Sequence, residues 1–186
     1  MKLARRSFLK AVASAAPAAA LRHLVAQTPA SAPAIQPHVV ASGQDVTGHL
    51  HPLGFSSLAF KVDPAETSAN LFIIEHRNLL PDSGPALHMH LSQEEWFYVM
   101  EGEVVLQVGD QRLHLRTGES VLAPRLVPHT FSATGSSAHM LIAFTPACKM
   151  EQYFIDAAAS PSLAATEAFM NRYDMKWSGP SPFWKH

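Results

Sequence analysis

The segment that most constrains this chain is residues 88–102. Its later half, Trp96, Phe97, Tyr98, Val99 and Met100, is aromatic and apolar and is closed by Gly102, which reads as a strand ending in a turn. His88 and His90 stand one residue apart just before it, so on a strand both point to the same face. Glu94 and Glu95 follow after a short gap, and strand alternation lets only one of them point inward. Two imidazoles and a carboxylate at this spacing hold one borderline divalent metal ion. A further stretch, Gly118 through Pro124 to His129, offers a fourth ligand in His129. A His-x-His pair alone is weak evidence. His49 and His51 form a second pair, but Pro52 follows and no carboxylate comes at a useful spacing, so they read as loop residues.

The flanking sequence is dense in short strands. Residues 57–62 and 71–77 are apolar runs separated by a turn at Asp63 and Pro64, and residues 81–85 form a second turn cluster. After Gly102 the alternation is regular, with Val104, Leu106 and Val108 on one face. Gly109 and Asp110 make a two-residue hairpin turn into residues 112–116. Residues 120–123, 129–132 and 138–145 extend again. This pattern predicts an all-β barrel or sandwich. After Pro146 it changes to helical spacing over 150–158 and 163–173, the second with Ser162 as N-cap. Phe154, Leu163, Phe169 and Tyr173 are expected to pack this segment outside the barrel, with an irregular tail over 177–184. His76 and His139 on apolar strands read as core or surface histidines with backbone partners, His114 as solvated, and Cys148 as a small packed residue.

Charge narrows the function. With 14 basic and 15 acidic residues, the chain lacks the basic surface that nucleic acid requires. One cysteine excludes an intramolecular disulfide and a cysteine-rich zinc site. Residues 1–34 carry Lys2, Arg5, Arg6 and Lys10, then an alanine-rich stretch too weak to span a membrane. The run Arg5, Arg6, Ser7, Phe8, Leu9, Lys10 resembles a twin-arginine export signal, which implies recognition by the translocation machinery and a periplasmic or secreted destination. The expected organisation is a signal and leader over 1–34, a barrel over 35–149, and a helical extension and tail over 150–186.

The two histidine-bearing stretches resemble the two motifs of the cupin superfamily. His88, His90, Glu95 and Gly102 match the first, and Gly118, Pro124 and His129 match the second. The resemblance implies a double-stranded β-helix barrel, to which the helical spacing adds a short C-terminal helical segment, a single metal held by His88, His90, Glu95 and His129, and a homodimer. It also decides between the two glutamates, because Glu95 leaves six residues before Gly102, as in the family pattern, and Glu94 leaves seven. The chain departs from the pattern at Gly84, which comes two positions too close to His88, and at Leu126, which stands where a glycine is usual.

Within the superfamily, Glu95 to Gly102, Ala123 to His129, and Thr145 and Pro146 followed by Gln152, Tyr153 and Phe154 look most like small quercetinase-like proteins. That likeness implies a metal-dependent dioxygenase acting on a small aromatic or flavonol-like substrate, with Glu95 serving as both ligand and proton acceptor. The alternatives are a non-catalytic small-molecule-binding cupin and a metal-assisted isomerase. By ligand type Fe, Mn, Ni, Cu and Zn all fit, and raw affinity favours Cu and Zn. The twin-arginine route carries folded proteins, so loading in the cytoplasm would favour Mn or Fe.

Overall fold

A computed structural model describes residues 35–185. The proposed export segment and its Arg5–Arg6 pair lie outside the described residues. Among the described residues, eleven strands form two sheets. The larger sheet has six: β1 (His51–Pro52), β2 (Ser57–Val62), β3 (Phe72–Leu79), β5 (Glu94–Glu101), β8 (Ser120–Ala123) and β10 (Ala138–Thr145), in the order β1-β2-β3-β10-β5-β8. The smaller has five: β4 (Leu87–His90), β6 (Glu103–Val108), β7 (Gln111–Arg116), β9 (His129–Ala133) and β11 (Met175–Gly179), in the order β11-β4-β9-β6-β7. All strand pairs within the sheets are antiparallel. The architecture is a double-stranded β-helix barrel with a short C-terminal helix.

Alternation builds the interior. On the inner face of the larger sheet, Phe144 of β10 lies between Phe72 of β3 and Glu95 of β5. The next row is Ile74, Ile142 and Phe97, and the next is His76, Met140 and Val99. The apolar members of these rows are fully or almost fully buried. Removing that much apolar surface from water is the main favourable term in folding. The opposite parity of β5 faces out, with Trp96 at 36% and Met100 at 39% exposure. The predicted two-residue turn at Gly109 and Asp110 joins β6 to β7, with Val108 opposite Gln111. Gly102 bends the chain between β5 and β6 at φ +81, a left-handed conformation that glycine adopts without steric cost.

The C-terminal region differs from expectation in three ways. The helix α1 (Met150–Ala159) forms as predicted and buries Met150, Tyr153, Phe154 and Ala157 at helical spacing. The second predicted helix, 163–173, is instead a run of turns, then a single turn α2 (Glu167–Met170), then a 3-10 turn (Asn171–Tyr173). Thr166, not Ser162, is the cap, its Oγ1 accepting from the Phe169 N–H at 3.3 Å, and Leu163 is 52% exposed. The tail is not irregular throughout, since residues 175–179 form β11 and pair with β4. Smaller corrections concern single residues. His51 is not in a loop but in β1, its ring stacked 4.1 Å from Phe60. Cys148 is exposed rather than packed. His139 takes a side-chain partner, Glu75 Oε1 at 2.6 Å, instead of a backbone one. His49 and His114 are exposed.

Candidate metal centre

His88 and His90 sit on β4 with both side chains buried, while Leu87 and Met89 between and beside them are half-buried. β4 is held from both sides. His88 lies directly opposite His129 of β9, and on the other edge Trp177 and Met175 of β11 pair with His88 and His90. The C-terminal strand therefore fixes the backbone that carries two of the candidate ligands. Glu95 arrives from the other sheet, pointing inward with Phe97 and Val99.

The four side chains converge. One ligand atom from each of His88, His90, Glu95 and His129 lies within 4.8 Å of the others, and all four residues are buried. Glu95 Oε2 is 3.0 Å from His90 Nε2 and 2.8 Å from His129 Nε2. His88 Nδ1 lies 2.8 Å from the Ala86 carbonyl and His129 Nδ1 lies 2.9 Å from the Val127 carbonyl. With Nδ1 of each ring turned to a backbone carbonyl, Nε2 is the atom left to serve as a metal ligand. Burial opposes a second proton: it drives the His88 pKa down to about 3, with His129 and His90 adding to the effect. Burial likewise lowers the pKa of His90, against the pull of Glu95. Burial also opposes charge on Glu95, but the contacts with His129 and His90 more than offset it and hold the carboxyl below the ordinary carboxylate range. A carboxylate and three imidazole nitrogens converging in a buried pocket are a donor set that one divalent cation satisfies. Orienting the rings through backbone carbonyls is the outer support usual for metal-bound histidine. The residues present thus fit a single bound metal ion.

Glu94 points the other way. Its carboxylate takes two bonds from the Arg125 guanidinium, Nε to Oε1 at 2.5 Å and Nη2 to Oε2 at 2.6 Å, at the surface. Those bonds hold its pKa below the ordinary value. Leu126, next in the chain, adopts φ +64, the conformation for which the family pattern has glycine. A left-handed residue with a Cβ costs about 1–2 kcal/mol. The turn keeps it because the Leu126 N–H donates to the His90 carbonyl at 2.8 Å, tying the loop before His129 to β4.

The centre opens into a cavity of about 480 Å³ lined by His88, His90 and Glu95 and by largely apolar walls. Phe131 and Ile142 come from the barrel, Met150, Tyr153 and Phe154 from α1, and Trp184 from the tail. The C-terminal region is therefore part of the cavity wall and not only packing outside the barrel. Trp184 is fastened by its Nε1–H to the Gly84 carbonyl at 3.1 Å, and Lys185 pairs with Asp82 beside it. Sequence reasoning missed these tail residues and also His76, which lines the cavity as well. The tail has no strong periodicity, and a lone histidine on an apolar strand carries no signal of the space it faces.

Comparison with known proteins agrees with this architecture. Residues 76–144 match the family described as cupin domain. An RmlC-like cupin from Shewanella frigidimarina superposes with a TM-score of 0.52 at 18% identity, over 62% of this chain and 96% of that one. A variant of oxalate decarboxylase from Bacillus subtilis superposes with a TM-score of 0.50 at 18% identity, over 72% of this chain and 40% of that one. At such identities the likeness shows the fold alone. No curated protein matches the chain. The segment that matches the cupin domain runs from β3 to β10 and contains all four converging residues, and the structural neighbours share the barrel fold.

Proposed function

We propose that this protein is an exported mononuclear metal-dependent dioxygenase acting on a small aromatic or flavonol-like substrate. The observation that carries the reading is the joining of the four-residue donor set to a largely apolar, aromatic-walled cavity of about 480 Å³. Pockets of this size and lining suit a small organic ligand held by a few placed polar groups. The metal, when bound, supplies Lewis acidity toward a substrate oxygen and access to dioxygen chemistry; manganese or iron is the proposed ion.

The chain's own residues do the rest. His88, His90 and His129 present Nε2, and their Nδ1 bonds or packing hold the rings in place. Glu95 supplies the anionic ligand. Both histidine contacts fall on its Oε2, and Oε1 makes no hydrogen bond among the described residues. Oε1 is the atom left to accept a proton from a substrate hydroxyl. The aromatic wall excludes water and packs against flat rings. Tyr153 stays a neutral phenol, because burial raises its pKa.

Elemental analysis of protein recovered from its native compartment, followed by oxygen-electrode traces with 3-hydroxyflavone and a panel of aromatic diols, tests the reading. Oxygen uptake stoichiometric with loss of the organic substrate is expected. Tight binding without uptake would reassign the protein to the class of non-catalytic binding cupins. Export is tested separately. Arg5→Lys combined with Arg6→Lys is expected to leave the precursor in the cytoplasm, since the paired guanidinium groups are the recognised feature. Normal export of that double variant would remove the twin-arginine reading.

A further inference from the structure

One buried polar group is not used by the metal centre. His76 occupies an inner-face position of β3, in the row with Met140 and Val99, where Phe72 and Ile74 fill the preceding inward positions. It is 1% exposed. A polar side chain placed there costs free energy unless its groups find partners. Only one of its two ring nitrogens has a partner: Nδ1 lies 3.0 Å from Ser56 Oγ, itself buried. Nε2 has no hydrogen bond among the described residues, yet it is not one of the fully enclosed atoms, and the residue lines the cavity.

The ring is held without any help from Nε2. Phe55 stacks on it at 6.4 Å, and Phe131 and Phe154 meet it edge-on at 5.5 and 6.4 Å. Burial lowers its pKa to about 3, so it is neutral at physiological pH. A neutral imidazole carries one N–H and one lone pair, and the Ser56 hydroxyl can serve either at Nδ1. Nε2 can therefore donate or accept. His76 is also set apart from the donor set. Glu95 and His76 lie two strands apart on the same sheet, and the apolar row of Phe97, Ile142 and Ile74 runs between their rows.

We propose that His76 Nε2 is a second anchor in the cavity, hydrogen-bonding a hydroxyl or carbonyl at the end of the ligand remote from the metal-binding oxygen. The inference rests on the proposed aromatic-substrate reading and narrows it. The ligand class is a flat molecule with an oxygen pair at one end, apolar rings in the middle and one polar group at the far end. Ser56 acts through His76 as a positioning residue, fixing the ring rather than touching the ligand.

The test uses the full-length metal-loaded protein and three probes, 3-hydroxyflavone and its 3′- and 4′-hydroxylated forms. They share the metal-binding end and differ only in a distal hydroxyl. Binding is read by quenching of tryptophan fluorescence, since Trp184 lines the cavity. At least one hydroxylated probe is expected to bind the wild type about five- to tenfold more tightly than the parent, the gain of one well-placed hydrogen bond. His76→Phe keeps the ring shape and is expected to abolish that advantage while leaving the parent's affinity and the metal content unchanged. His76→Gln, which keeps a hydrogen-bonding group and serves if the Phe variant does not fold, is expected to retain part of it. In zinc-loaded protein, the ¹⁵N resonance of His76 Nε2 is expected to shift with the preferred probe and stay in place with the parent. Equal binding of all three probes to the wild type, or an advantage that survives His76→Phe, overturns the anchor and leaves the broader reading standing. Failure of every probe to bind the wild type overturns the aromatic-substrate reading itself, and the anchor with it.

Discussion

Glu95→Gln is expected to strip the protein of its metal, while Glu94→Gln leaves metal content unchanged. The two side chains are neighbours in sequence and face opposite sides of one strand. Glu95 is buried, and its Oε2 touches His90 Nε2 and His129 Nε2. Making it neutral removes the one anion from a set of three imidazoles. A divalent cation would then sit in a low-dielectric pocket with its charge uncompensated, which is costly. Loss of a supporting group around a metal already lowers affinity about 10- to 100-fold, so loss of this direct ligand is expected to exceed that range. Glu94 loses only a solvent-exposed pair with Arg125, the kind of contact that contributes little. Metal content per chain, measured by elemental analysis of both purified variants, distinguishes them. Loss of metal from the Glu94 variant with retention in the Glu95 variant would mean that the strand faces have been assigned in reverse.

Gly84→Ala is expected to be the most destabilising single-methyl substitution near the cavity, costing about 3 kcal/mol or more. Gly84 stands at φ +109, a region that residues with a Cβ rarely enter. A Cβ built there would lie 1.9 Å from the Phe131 carbonyl oxygen. That oxygen belongs to the backbone of β9, which also carries His129, so it cannot swing aside as a flexible side chain would. The displaced segment also holds Trp184 through the Gly84 carbonyl. A chain of this size is expected to lose roughly 6–12 °C in Tm for such a change, together with weaker closure of the cavity. A melting curve within 2 °C of wild type, with about the same transition width, would contradict the close approach.

Much of the barrel was legible because strands declare themselves locally. The alternation at Val104, Leu106 and Val108, the Gly109–Asp110 turn and the long apolar run into Thr145 are read within a few residues each. The second predicted helix was not legible in this way. Residues 163–173 have helical spacing, but residues 161–165 instead follow the cavity, with Pro161, Ala164 and Ala165 lining it. Tertiary packing there overrides a weak local preference, and the cap shifts to Thr166. The strand over 175–179 was missed for the complementary reason. Its stability comes from pairing with β4, a partner more than eighty residues earlier in the chain, and local propensity does not encode a distant partner.

The sequence alone determined the class of fold and offered three histidines with Glu94 or Glu95 as candidate donors, because residue types, order and spacing are local properties. It could not determine by polarity which of Glu94 and Glu95 faces inward, since Trp96, Tyr98 and Met100 on one parity are as apolar as Phe97 and Val99 on the other. The family spacing to Gly102 pointed to Glu95, and the tertiary structure supplied the physical reason. It wraps one face of β5 around Phe144 and the histidines and leaves the other face to solvent and Arg125. Tertiary structure also decided that His76 faces the cavity and that the C-terminal tail walls it. Both depend on which distant segments close over the barrel, and burial of that kind belongs to the assembled chain and to no stretch of it.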